Sequence, residues 1–150
     1  MKAHAVVLAA LALAGSVLVG GCSYENPATG TEATYTWGTL HSQVDAPSPT
    51  VYAAALQAAD DLHLTVGRAA ETAFGGEIRA VDALNDVVNI RLKVLSQEQT
   101  GLTISFGVFG NRRKSVMVFD RIMANLAQVR PAMATPTIQW GEEAIEPVAR

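Results

Sequence analysis

The sequence predicts an α+β fold, an antiparallel sheet of about five strands with two helices packed on one face, in the order β-α-β-β-β-β-α and preceded by an apolar leader. Three observations predict it. Val88, Ile90, Leu92 and Val94 alternate with polar neighbours, as do Leu102, Ile104 and Phe106, which is the two-residue period of a half-buried strand. Two other stretches carry apolar residues at the spacing of a helix face, around Val51–Leu62 and Val116–Leu126. Short breaks at Gly75-Gly76, Asn85-Asp86 and Gln97–Gly101 separate the later strands, which suits hairpins rather than long crossovers.

The leader comes first. Met1-Lys2-Ala3-His4 precedes an apolar run from Ala5 to Val19. A run of about 15 residues fits the core of a signal peptide and is short for a membrane-spanning helix, which needs about 20. It ends in Leu18-Val19-Gly20-Gly21-Cys22-Ser23. Small residues at Gly20 and Gly21 let a peptidase approach the backbone, and Cys22 supplies a thiol for diacylglyceryl attachment at the first mature position. Cleavage is expected between Gly21 and Cys22, and lipidation at Cys22, the only cysteine in the chain. A lone cysteine forms no internal disulfide. The competing reading is an ordinary exported protein with a free thiol.

Four segments follow from this: signal peptide 1–21, lipidated cysteine and flexible tether 22–34, an α+β domain 35–129, and a mobile Pro-containing tail 130–150. The tether is polar and contains Pro27 and Gly30, so it has little to bury. The first strand is expected over Tyr35–Val44. The first helix starts near Ser48 as N-cap, with Pro49 at its first position and Val51, Ala54, Ala55, Ala58 and Leu62 along one face. Strands are expected at Leu64–Phe74, Glu77–Leu84, around Val88–Leu95 and around Leu102–Phe109. The second helix spans about Arg112–Gln128, capped by Asn111 or Gly110, with Val116, Phe119, Ile122, Met123 and Leu126 facing the sheet. Thr103, Ser105, Asn89, Arg91 and Lys93 make the other sheet face polar and wet.

The chain carries 11 basic and 14 acidic side chains, a formal net charge of −3. That balance disfavours a nucleic-acid partner, which selects for a basic surface. His41 and His63 have no partners at metal-ligand spacing, so no metal site is expected. No serine stands in a nucleophile elbow, and Gly107-Val108-Phe109-Gly110 does not match a phosphate loop. Neither an enzyme nor a cofactor is expected. Arg112-Arg113-Lys114 is the unusual charge feature: three cations at a helix N-terminus oppose the helix dipole. They fit an anion or partner-binding corner, or a solvated loop. Trp37 and Tyr35 fit core packing better than an interface.

The order of motifs, Tyr35-Thr36-Trp37-Gly38-Thr39-Leu40, then Val51-Tyr52-Ala53-Ala54-Ala55-Leu56, then Val88–Leu92 and Leu102–Gly110, resembles a family of small bacterial envelope lipoproteins whose domain has no assigned function. The resemblance covers roughly Tyr35–Gln128 and the cysteine motif. It implies no activity, cofactor or catalytic residue. Members carry an acidic residue after the Phe-Gly pair, where this chain departs with Asn111-Arg112-Arg113-Lys114.

Together these readings lead to a non-enzymatic envelope protein, held to the outer membrane by acyl chains on Cys22, with its domain in the periplasm facing protein or cell-wall partners. The alternative is a small-molecule or lipid carrier with its ligand between sheet and helices.

Overall fold

The computed structural model describes residues 22–133. The expected signal peptide (1–21) and residues 134–150 of the expected tail lie outside the described residues. The elements in chain order are β1 (Cys22–Glu25), β2 (Glu32–Thr36), β3 (Thr39–Val44), α1 (Ser48–Asp61), β4 (Thr65–Thr72), β5 (Gly75–Val81), β6 (Val87–Val94), β7 (Thr100–Phe106) and α2 (Arg112–Met133). They form one seven-stranded sheet in the order β1-β2-β3-β7-β6-β5-β4. Every neighbouring pair is antiparallel. The α+β class holds, with seven strands rather than about five.

The extra strands come from two places. The expected single strand over Tyr35–Val44 is a hairpin, broken at Trp37-Gly38, both of which have positive φ (50° and 79°). That backbone suits a tight two-residue turn between twisted strands. The expected tether over 22–34 is not free chain. Cys22–Glu25 pairs with β2, with Cys22 opposite Tyr35 and Glu25 opposite Glu32.

What holds this polar segment is a cluster of side chains rather than its own propensity. The Tyr24 hydroxyl donates to the Asp120 carboxylate of α2 (2.8 Å to Oδ2), and Asn26 Nδ2 donates to Asp120 Oδ1 at 2.6 Å. The Asn26 Oδ1 in turn accepts from the backbone N–H groups of Ala28 (3.1 Å) and Thr29 (3.0 Å). Asn26 is buried, and its ring neighbour Tyr24 stands edge-on to Phe119 with centroids 6.3 Å apart. Burial pushes the Tyr24 phenol above its ordinary pKa, helped by the hydrogen bond to Asp120 and that group's charge.

Both helices cover one face of the sheet. Val51, Ala54, Ala55, Ala58 and Ala59 of α1 are buried, and the alanines let the helix lie close to the strands. Phe119, Ile122, Met123 and Leu126 of α2 meet Leu102, Ile104 and Phe106 in the same core. Asn125 joins the helices, its Nδ2 donating to the Asp61 carboxylate at 3.1 Å. Two termini differ from expectation. Pro47, not Ser48, is the N-cap of α1, and no side chain caps that end. Helix α2 runs past Gln128 and through Pro131 to Met133, so residues 130–133 of the expected tail are helical. At its start Asn111 is the cap, as expected, its Oδ1 accepting from the Lys114 N–H at 3.1 Å.

Candidate functional site

The antiparallel register sorts the loops to two ends of the sheet. β1 starts, β2 ends and β3 starts at the same end, because Cys22 is opposite Tyr35 and Thr36 is opposite Thr39. β7 finishes there too, with Ser105 opposite Thr39, and so do the β5–β6 turn and the start of α2. This near end therefore gathers Cys22, the Trp37-Gly38 turn, the Gly107–Gly110 loop and the Arg112–Lys114 corner. The far end carries the β1–β2 loop and the β6–β7 turn.

At the near end Cys22 is exposed, with its thiol unbridged. Gly21 lies outside the described residues. Of the three expected anion-binding cations, Arg112 and Arg113 are exposed while Lys114 is withdrawn. Its Nζ sits 2.6 Å from Asp82 Oδ2 and 2.6 Å from Asp86 Oδ2, and 5.2 Å from the centre of the Phe106 ring. The hydrogen bond from Lys114 holds the Asp82 carboxyl below its ordinary pKa, and the same contact raises the ammonium of Lys114. Lys114 is thus a clamp between the start of α2 and the β5–β6 turn. The expected triad reduces to a pair of arginines, Arg112 and Arg113, exposed and without an ionic partner among the described residues.

Trp37 was expected in the core. It is instead 98% exposed, at the tip of its turn, and Val108 and Phe109 are 93% and 95% exposed beside it. The two loops touch through glycine backbone. A Cβ added at Gly38 would lie 2.8 Å from the Phe109 carbonyl oxygen, and one added at Gly110 would overlap the backbone of Gly38. The sequence signal for this was present in Gly38 and Gly110, yet nothing local says that the two glycines meet.

The second surface is the sheet face opposite the helices. Thr34, His41, Thr103, Arg91 and Glu77 stand in one row across five strands. Arg91 Nε approaches Glu77 Oε1 at 3.4 Å in an exposed pair. Toward the far end the face hollows into an open concavity of about 710 Å³, lined by His41, Gln43, Lys93 and Thr103 and walled by the residues around Thr31 and Gln99. Its polar lining comprises hydroxyl and amide groups, the His41 imidazole, the Lys93 ammonium and the carboxylates of Glu32 and Asp45, a set that hydrogen-bonds polar ligands. Among the described residues no group of three or more His, Cys, Asp or Glu side chains is placed to hold a metal ion, and no helix is long and apolar enough to cross a membrane. The layer between sheet and helices is filled: Val51, Ile78, Ile90, Ile104 and Phe119 have no exposed surface.

Fold and surfaces define a two-layer α+β domain with a covered apolar face and an open polar one. The chain belongs to the family described as a protein of unknown function (DUF3568), whose pattern matches residues 2–125. No curated protein matches the chain. Among solved structures it is similar to a conserved protein of unknown function from Enterococcus faecalis, at 14% identity over 74% of this chain and 77% of that one, with a TM-score of 0.34.

Proposed function

We propose that this is an exported bacterial lipoprotein, anchored through acyl chains on Cys22, whose domain is a non-enzymatic binding or structural module in the periplasm. The carrying observation is Cys22: it follows a signal-like leader and two glycines, and its thiol is exposed at the first residue of the sheet. The family pattern also runs through this segment, since it matches from residue 2. Two or more acyl chains hold a protein stably on a membrane without a spanning helix. Ser23 after the cysteine fits sorting to the outer membrane. The surface offered to an envelope protein or cell-wall partner is the polar concavity around His41 and Lys93. A carrier role between sheet and helices has no observation in its favour, because the concavity lies on the other face. Fractionation of cells carrying the wild-type protein and Cys22→Ala tests the reading. The wild type is expected in the membrane pellet and the variant's anchor-dependent share outside it. Equal distributions of the two would sink the proposal.

A further inference from the structure

The near end of the sheet presents an unusual surface for a water-facing domain. Trp37, Val108 and Phe109, all more than nine-tenths exposed, project from two loops locked together by the Gly38–Gly110 backbone contact. Leu84 adds a further exposed apolar tip on the neighbouring β5–β6 turn, at 76%. A contiguous exposed apolar cluster is rare on a domain that faces only water. These side chains share their end with Arg112 and Arg113, both exposed and without an ionic partner among the described residues, while the acids Asp82 and Asp86 there are engaged by Lys114. The exposed acids closing α1, Asp60 and Asp61, belong to the β4–β6 half of the sheet, on which α1 packs, and not to the β1–β3 half that bears Trp37.

We infer that this end is an interfacial edge that seats the domain directly on an anionic phospholipid surface, with the Trp37 and Phe109 rings entering the headgroup layer and Arg112 and Arg113 meeting lipid phosphates. Tryptophan suits that layer because its ring is apolar and its N–H is polar. Each basic residue at such a surface adds an attraction of about 1 kcal/mol, a factor of about fivefold. The inference rests on the anchor reading for the point of attachment, and the register supports the match between the two. Cys22 pairs with Tyr35, two residues before Trp37, so strand spacing and rise put the Cys22 backbone roughly 8 Å from that of Trp37. Acyl chains leaving Cys22 would start beside the apolar tips. With β1 built into the sheet, no slack holds the domain away from the bilayer. The concavity lined by His41 and Lys93 then opens toward the far end, away from the membrane.

The test uses the full chain recovered from its own membranes, with Trp140→Phe so that Trp37 is the one remaining tryptophan of the two in the sequence. It is reconstituted in phosphatidylglycerol/phosphatidylethanolamine vesicles with brominated acyl chains, and its intact mass is read in parallel. The expected result is an acylated mass, a blue-shifted Trp37 emission and strong quenching by the bromolipid. Phe109→Ser, or Arg112→Glu with Arg113→Glu, should each weaken the quenching, and replacing the anionic lipid with phosphatidylcholine should do the same. An acylated mass with unquenched, water-like Trp37 emission overturns the inference while leaving the anchor intact. It would leave the edge free for a protein partner. An unacylated mass overturns the anchor reading instead, and quenching in added vesicles then decides the edge on its own.

Discussion

Removing the Asn26 side chain should loosen the N-terminal hairpin and destabilise the whole domain. Asn26 is buried and makes a short hydrogen bond to the Asp120 carboxylate, and its oxygen satisfies two backbone N–H groups of the following turn. A hydrogen bond to a charged partner contributes about 1.5–3 kcal/mol and each neutral one about 0.5–1.5 kcal/mol. The turn N–H groups can recover water in the variant, so their share is discounted, and the expected loss for Asn26→Ala is about 3 kcal/mol. For a domain of this size that lowers Tm by about 10 °C. Thermal denaturation followed by circular dichroism measures it, and amide exchange localises it. The β1 amides that bond to β2 should be protected in the wild type and exchange much faster in the variant. A double-mutant cycle of Asn26→Ala with Asp120→Ala should return a coupling of roughly 1.5–3 kcal/mol. A loss below about 0.5 kcal/mol, the level of an ordinary surface substitution, with β1 amides already unprotected in the wild type, would refute the reasoning and restore a free tether.

Three further outcomes are expected. Gly110→Ala places a Cβ against the Gly38 backbone at φ 79°, whereas Gly107→Ala has φ 67° and open space around it. The second should lose only the left-handed backbone penalty of about 1–2 kcal/mol and the first clearly more, as read by urea denaturation of both. Lys114→Met should remove a stabilisation confined to a pH window. Folding lowers the pKa of Asp82 below 3.8, so its share is present above that value and fades as pH falls through the folded pKa. Folding raises Lys114 above 10.5, so its share is full below that value and is lost as pH rises through the folded pKa. The difference in urea midpoint between wild type and variant should therefore be flat near neutrality and shrink at both extremes. A difference independent of pH would mean that the lysine stem, not its charge, holds the corner. Tyr24→Phe removes the hydroxyl that donates to the Asp120 carboxylate, at about 1.5 kcal/mol near neutrality, the low end for a charged partner. Because folding raises the phenol's pKa above 10.0, the wild-type advantage should be full below that value and decline as pH rises beyond it. A spectrophotometric tyrosine titration against the variant checks the shift.

Legibility in the sequence followed how local each cause was. β6 and β7 were readable because their inward residues alternate without interruption, and α1 and α2 because their buried residues recur at helical spacing. The Trp37-Gly38 turn was hidden because tryptophan is a strand former and seldom occupies a positive φ, so the pattern read as one continuous strand. β1 was hidden for a different reason. Cys22–Glu25 is short and polar, and its stabilising partner, Asp120, lies 94 residues beyond Asn26. Lys114 misled for the same reason. It reads as a third member of a basic run, and only the fold brings Asp82 and Asp86 over it. The continuation of α2 through Pro131 departs from the rule that proline interrupts a helix interior.

The central claim is that Cys22 is a lipid anchor at the edge of the domain, and the most direct measurement is the intact mass of the mature protein purified from membranes, beside Cys22→Ala. The expected mass begins at Cys22 and includes the acyl chains, and the variant lacks both the modification and membrane retention through it. An unmodified Cys22 in a soluble protein would contradict the claim and return the residue to an exposed thiol at the start of β1.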